Sequence, residues 1–138
     1  MMTTKHETDL RLARECVAVW KKKAELAAEG KYAAITLGID ACPLCQEYFD
    51  KSVEDGEECS ECPICQDTLG AQCCNTPYGR VTSALHKALW IYDNATTGAR
   101  AAQTILQSAI AAEIAYLEEL CAKLERPSKT QNPEQEAC

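Results

Sequence analysis

The sequence predicts a mainly α-helical fold, a three-helix scaffold with one irregular loop inserted between the first and second helices. Three observations predict it. Three segments repeat apolar residues in steps of three and four, the spacing of one helix face. No β-rich region interrupts them. Seven of the ten cysteines fall between residues 42 and 74, in a stretch with little periodicity. A chain of 138 residues suits one domain, expected over 1–126 with a polar tail over 127–138.

The first helix is expected from Asp9 to Glu29, with Leu10, Ala13, Val17, Trp20, Ala24 and Ala27 on its apolar face. Thr8 or Asp9 could cap its start, and Gly30 stands where it would end. Lys21, Lys22 and Lys23 read as a solvated face. Residues 31–41 fit either a short helix or an extended lead-in. The loop then spans about 42–75, with turn signals at Gly56 and Gly70. Thr76 and Pro77 open the second helix, threonine as N-cap and proline at the first helical position, where its missing N–H costs nothing. That helix carries Tyr78, Val81, Leu85, Ala88, Leu89 and Tyr92 and ends near Asn94. Thr96-Thr97-Gly98 breaks the chain, and the third helix runs from about Ala99 to Glu125. Its stripe is Leu106, Ile110, Ile114, Leu117, Cys121 and Leu124, flanked by Ile105, Ala109, Ala112, Tyr116 and Leu120. So wide a face serves two neighbours in a monomer or, in part, a homodimer through this helix. Pro127 ends it, and the residues beyond read as disordered.

Charge narrows the function classes. The formal charge is -7 and the pI about 4.8. From Glu47 to Asp67 the acids are Glu47, Asp50, Glu54, Asp55, Glu57, Glu58, Glu61 and Asp67, against the single base Lys51. Phosphate contacts depend on Lys and Arg, so direct nucleic-acid binding by this loop is disfavoured. The acid run is either solvated or a surface for a basic partner. The N-terminus is charged throughout, unlike a signal peptide, and no run approaches a membrane span. A reducing cytoplasm is the expected setting, where clustered cysteines bind metal more often than one another.

The cysteines fall as Cys42-Pro-Leu-Cys45, Cys59-Ser-Glu-Cys62, Cys62-Pro-Ile-Cys65 and the pair Cys73-Cys74. A C-x2-C unit puts two thiolates on one knuckle, both within reach of a tetrahedral Zn2+ at about 2.3 Å. Cys42 and Cys45 are the firmest ligands, because Pro43 presets a turn whose following amides point back at sulfur. The second pair has two solutions: Cys59 with Cys62 gives a zinc-ribbon spacing, and Cys62 with Cys65 repeats the C-P-aliphatic-C form of the first. Cys73 or Cys74 precedes the helix at Thr76, where positive helix-end potential favours a thiolate. An iron–sulfur pattern fails at its fourth cysteine. His86 is read as a surface residue, Cys16 and Cys121 as small buried hydrophobes, and Cys138 as part of the tail.

No catalytic signature accompanies these cysteines. The zinc-deaminase pattern needs a proline before Cys42, where Ala41 stands. H-E-x-x-H, G-x-S-x-G and phosphate-cradling glycine loops are absent from the sequence, and a surplus of cysteine ligands favours a closed structural site. The chain is therefore not expected to be an enzyme.

Together C-P-L-C (42–45), C-S-E-C-P-I (59–64) and C-C-N-T-P-Y (73–78), followed by a helix containing Ala-Ala-Glu-Ile-Ala-Tyr-Leu-Glu-Glu-Leu (111–120), resemble small uncharacterised cysteine-cluster proteins of tailed bacteriophages and prophages. Their pattern is C-x2-C, then C-x2-C-P-[IL], then C-x-[GND]-T-P-[YF]. Mapped onto roughly residues 40–122, it selects Cys42, Cys45, Cys59, Cys62 and Cys73 as metal residues and leaves Cys65 and Cys74 as extras. The resemblance implies no enzymatic activity, and it implies a phage accessory protein acting in bacterial host cytoplasm. The resulting expectation is a zinc-stabilised acidic interaction module that binds a host protein, one version being a DNA mimic against a DNA-handling enzyme. The alternatives are a zinc-dependent nucleic-acid binder using Arg11, Arg14 and Lys21 to Lys23, or an oligomeric structural or assembly component.

Overall fold

The computed structural model describes residues 4–38, 41–48, 62–67, 76–94 and 97–126. These form α1 (Lys5–Ala28), a 3-10 turn (Tyr32–Ala34), α2 (Pro43–Tyr48), α3 (Pro63–Asp67), α4 (Tyr78–Asn94) and α5 (Ala99–Glu125), with no strand among the described residues. The mainly helical expectation holds. Three long helices form the frame, but the helix count differs from three because the inserted segment contains two short ones.

α1 begins four residues earlier than the apolar pattern indicates. Thr4, not Thr8 or Asp9, is the N-cap, its Oγ1 accepting from the Glu7 amide at 3.1 Å. Periodicity cannot reveal this start, because the first turn, Lys5-His6-Glu7, contains no apolar residue. The C-terminus closes at Gly30, whose φ of 74° is one that a side chain resists. There the Lys31 amide reaches Leu26 O at 2.9 Å and the Gly30 amide reaches Ala27 O at 3.1 Å, the paired bonds of a Schellman cap. Gln103 on α5 donates to Ala27 O (2.8 Å) and Ala28 O (3.2 Å), so α5 itself adds a donor to the carbonyls at the end of α1.

α5 occupies the predicted span. It starts from Gly98 in the left-handed region (φ 87°) and packs along both α1 and α4. Leu106, Ile110 and Leu117 on α5 and Val81 on α4 are almost wholly buried, each side chain contributing about 1.5–3 kcal/mol of burial. Trp20 meets Tyr78 edge to face at 6.0 Å, joining α1 to the start of α4. The wide α5 face is only partly covered: Ile105 is exposed, as are Trp90 and Tyr92 on α4. Among the described residues no helix is long and apolar enough to cross a membrane.

The buried face of α1 is rotated relative to the predicted stripe. It comprises Asp9, Leu12, Ala13, Cys16, Trp20, Lys23 and Ala27, so Lys23 lies inside rather than on the solvated face expected of the lysine triplet. α5 likewise buries Glu113 between Ile110 and Leu117.

Candidate metal centre

Both C-P-aliphatic-C segments are the openings of short helices rather than irregular loop. Pro43 and Pro63 are the first helical residues, a position that suits their fixed φ. The Gln46 amide bonds Cys42 O (2.9 Å), and the Gln66 amide bonds Cys62 O (3.1 Å). Leu44 and Ile64, the aliphatic residues of the two segments, are buried in the core. Cys65 therefore holds the place in α3 that Cys45 holds in α2.

Each short helix is tied to the frame by polar contacts. α2 docks on α1, where Tyr48 Oη donates to the buried Asp9, which also accepts from Lys5 Nζ at 2.8 Å. Lys5 in turn lies 5.1 Å from the Tyr48 ring centroid. α3 docks on α5: Asp67 accepts from Tyr116 Oη (2.8 Å) and Lys123 Nζ (2.9 Å). This last residue of the acid run thus serves as an anchor, whereas Glu47 is exposed.

The sulfur arrangement centres on Cys42. The Cys45 amide donates to Cys42 Sγ at 3.3 Å, the N–H···S bond expected of the knuckle. Cys16, the Cys45 thiol and the Leu44 amide also lie close enough to act on the Cys42 thiol. Cys16 donates, and its bond to Cys42 together with burial holds its own proton well above the ordinary thiol range. Donation by Cys16, then by Cys45, outweighs burial at Cys42 and draws that thiol down to about 3. Cys62, buried at the start of α3, is close enough to act electrostatically on Cys16.

Two charged side chains border this sulfur pair from inside the protein. Lys23 is only 5 % exposed, with Nζ 4.2 Å from the Trp20 ring centroid. Burial lowers its pKa, while Cys42, Cys16 and Glu113 act in the opposite direction. Glu113 is 2 % exposed. Thr76, which also accepts from the Tyr78 amide at 3.2 Å two residues ahead of the start of α4, hydrogen-bonds its carboxyl. Glu113 Oε1 nevertheless has no partner among the described residues. Burial pushes this carboxyl up to about 7 against the pull of Thr76, with Cys42 adding to the rise and Lys23 opposing it.

Of the predicted metal residues, Cys42 and Cys45 are in contact, and Cys62 lies at the start of α3. Cys59 and Cys73 lie outside the described residues. Among the described residues no group of three or more His, Cys, Asp or Glu side chains is placed to hold a metal ion. His86 is exposed on α4, and Cys121 is buried on α5, as expected. Cys16 is also buried, but it meets another sulfur rather than only hydrocarbon. Its place four residues before Trp20 and seven before Lys23 was readable as one helical face; its contact with Cys42 was not. Comparison of the chain with known protein families, curated proteins and solved structures finds no match.

Proposed function

We propose that the chain is a zinc-stabilised protein-interaction module whose helical frame presents the acidic segment around residues 47–67 to a basic partner. The observation that carries this reading is the Cys42 knuckle, where the Cys45 amide donates to Cys42 Sγ at 3.3 Å at the start of a helix docked to α1. Soft sulfur donors with N–H···S support suit Zn2+. Cys42 and Cys45 would hold the ion with further donors from among Cys59, Cys62 and Cys73, at least one of them from outside the described residues, since the described cysteines alone form no group of three placed for it. Zinc would supply cross-linking, since metal-binding free energy is also folding free energy.

The resemblance stated above makes a bacterial host protein the natural partner and the host cytoplasm the natural setting, with imitation of DNA toward a DNA-handling enzyme as the specific version. The basic residues of α1 favour this over direct nucleic-acid binding. Arg11 pairs with Glu15 (3.5 Å), Arg14 with Glu125 (2.8 Å), Lys21 with Glu118 (3.7 Å) and Lys22 with Glu25 (3.6 Å), while Lys23 is buried. Four of these five cations thus lie beside a carboxylate and the fifth is enclosed.

Elemental analysis of freshly purified, chelator-free protein tests the metal, with bound zinc expected and its absence refuting it. Titration with labelled duplex DNA tests the surface. No complex is expected at moderate salt, and a partner captured from bacterial lysate should be released by salt and by competing duplex. Tight DNA binding would overturn the mimic.

A further inference from the structure

We propose that Cys42 and Cys45 form a modification site: the pair closes into a reversible disulfide by exchange with a small disulfide such as oxidised glutathione, while the matching pair Cys62 and Cys65 is shielded. The inference goes beyond the zinc reading and stands without it. Where zinc is held, the same two sulfurs are its donors, so closure would expel the ion.

Geometry favours closure. Cys42 immediately precedes α2, Cys45 is the third residue of that helix, and the Gln46 amide bonds Cys42 O at 2.9 Å. One helical turn therefore links the pair and sets their Cα atoms about 5 Å apart, within the roughly 4.4–6.8 Å that disulfides span. The Cys42 side chain is turned toward Cys45, because its Sγ lies 3.3 Å from the Cys45 amide nitrogen. Closure then asks for side-chain rotation rather than backbone movement. It leaves the docking of α2 in place, since Leu44 is fully buried and Tyr48 ties the far end of the helix to Asp9.

Exposure separates the two repeats. Cys62 and Cys65 occupy the same positions around α3, where the Gln66 amide bonds Cys62 O at 3.1 Å. Both are 4 % exposed, whereas Cys42 and Cys45 are half-buried. Exchange requires the incoming disulfide to line up with the attacking sulfur. The first pair permits that approach, and the second does so only after local opening. Asp67, bonded to Tyr116 and Lys123 of α5, holds α3 against such opening.

The exchange runs in two steps. The Cys42 thiolate, supported by the Cys45 amide, attacks one sulfur of glutathione disulfide, forms a mixed disulfide and expels one glutathione thiolate. The Cys45 thiolate then attacks Cys42 Sγ and expels the second. The protein loses two electrons, the glutathione disulfide gains them, and the two thiol protons end on two glutathione molecules.

The full chain, as purified, is treated with oxidised glutathione under native conditions, its remaining thiols are alkylated after denaturation, and its disulfides are mapped by mass spectrometry. Cys42 is expected joined to Cys45, with Cys62 and Cys65 oxidised at least about tenfold more slowly, and dithiothreitol should reverse the bond. In Cys45→Ser, Cys42 should accumulate as the glutathione adduct to at least about tenfold the wild-type level, because the intramolecular second step is gone. Cys42 joined instead to another cysteine, equal rates in the two repeats, or a wild-type Cys42 that stops at the adduct would overturn the proposal. The wild-type arm decides this whether or not the variant folds. A zinc-sensitive dye reads metal in the same run. Protein that holds no zinc yet forms the bond would fail the zinc reading alone, and zinc-holding protein that never forms it would fail this proposal alone.

Discussion

Glu113 gives the most direct test of the buried polar cluster. Its carboxyl is pushed from the ordinary 4.5 to about 7, chiefly by burial. The folded state therefore holds a proton between these values that the unfolded state has lost. Stability linked to this group is fully present below pH 4.5, falls as pH rises, and is gone above about 7. At about 1.4 kcal/mol per tenfold change in proton affinity, the span is worth about 3 kcal/mol at most. Glu113→Gln removes the ionisation and can keep the Thr76 bond, but it leaves an amide in a site that already has one unpartnered atom, at a cost of about 1 kcal/mol. The variant should therefore be more stable than wild type by about 1–2 kcal/mol at pH 8 and equal or slightly weaker at pH 4.5. Urea unfolding of both proteins side by side at each pH measures this, because the other titrating groups are common to both and largely cancel. A variant destabilised at pH 8 by more than about 1 kcal/mol would refute the reasoning, since the carboxylate would then be held ionised by a partner stronger than Lys23.

Three further outcomes are expected. Cys42→Ser or Cys45→Ser should release zinc and reduce protection of the 42–75 amides in hydrogen exchange, whereas Cys138→Ser should leave metal content unchanged; full zinc stoichiometry in the Cys42 variant would disprove the ligand assignment. Leu106→Ala, at a fully buried position on α5, should cost about 2–5 kcal/mol in chemical denaturation, and a loss below about 1 kcal/mol would contradict the packing. Gly98→Ala forces a side chain into φ 87° at the start of α5, although its Cβ would meet nothing closer than Ile91 Cδ1 at 4.0 Å. The strain should lower thermal stability by about 1 kcal/mol, and an unchanged melting temperature would count against that turn.

The frame was legible because its signals are local. The third helix is bounded by Gly98 and by Pro127, and the observed Ala99–Glu125 matches the expected span. Thr76 accepts from the Tyr78 amide at the start of α4, although the helix begins at Tyr78, one residue later than its sequence indicates. The early start of α1 was also written locally, since Thr4-Lys5-His6-Glu7 has the S/T-x-x-E form of a capping box, but an argument from apolar residues passes over it. The burial of Lys23 and Glu113 was not legible. Each lies at helical spacing among core residues, Lys23 after Trp20 and Glu113 after Ile110, but a charged residue on a stripe reads as a polar neighbour until its surroundings are known. The helicity of α2 and α3 was hidden by their shortness, five or six residues being too few for periodicity. The Cys16–Cys42 contact joins residues far apart in sequence, and only packing of α2 against α1 creates it.

That contact changes what the insertion is mechanically. If the cysteines of residues 42–74 served only one another, the segment would be a self-contained knot hung between two helices, its orientation set by hinges at either end. Instead α2 is bound to α1 through Asp9 and Tyr48, α3 is bound to α5 through Asp67, and sulfur from α1 meets the first knuckle. Each tether joins the insertion to a different long helix, or to a different point on the same one. A surface held at three points costs less ordering entropy when a partner binds than one free to swing. The two described ends of the acid run, Glu47 on α2 and Asp67 on α3, are thereby fixed to the helical frame.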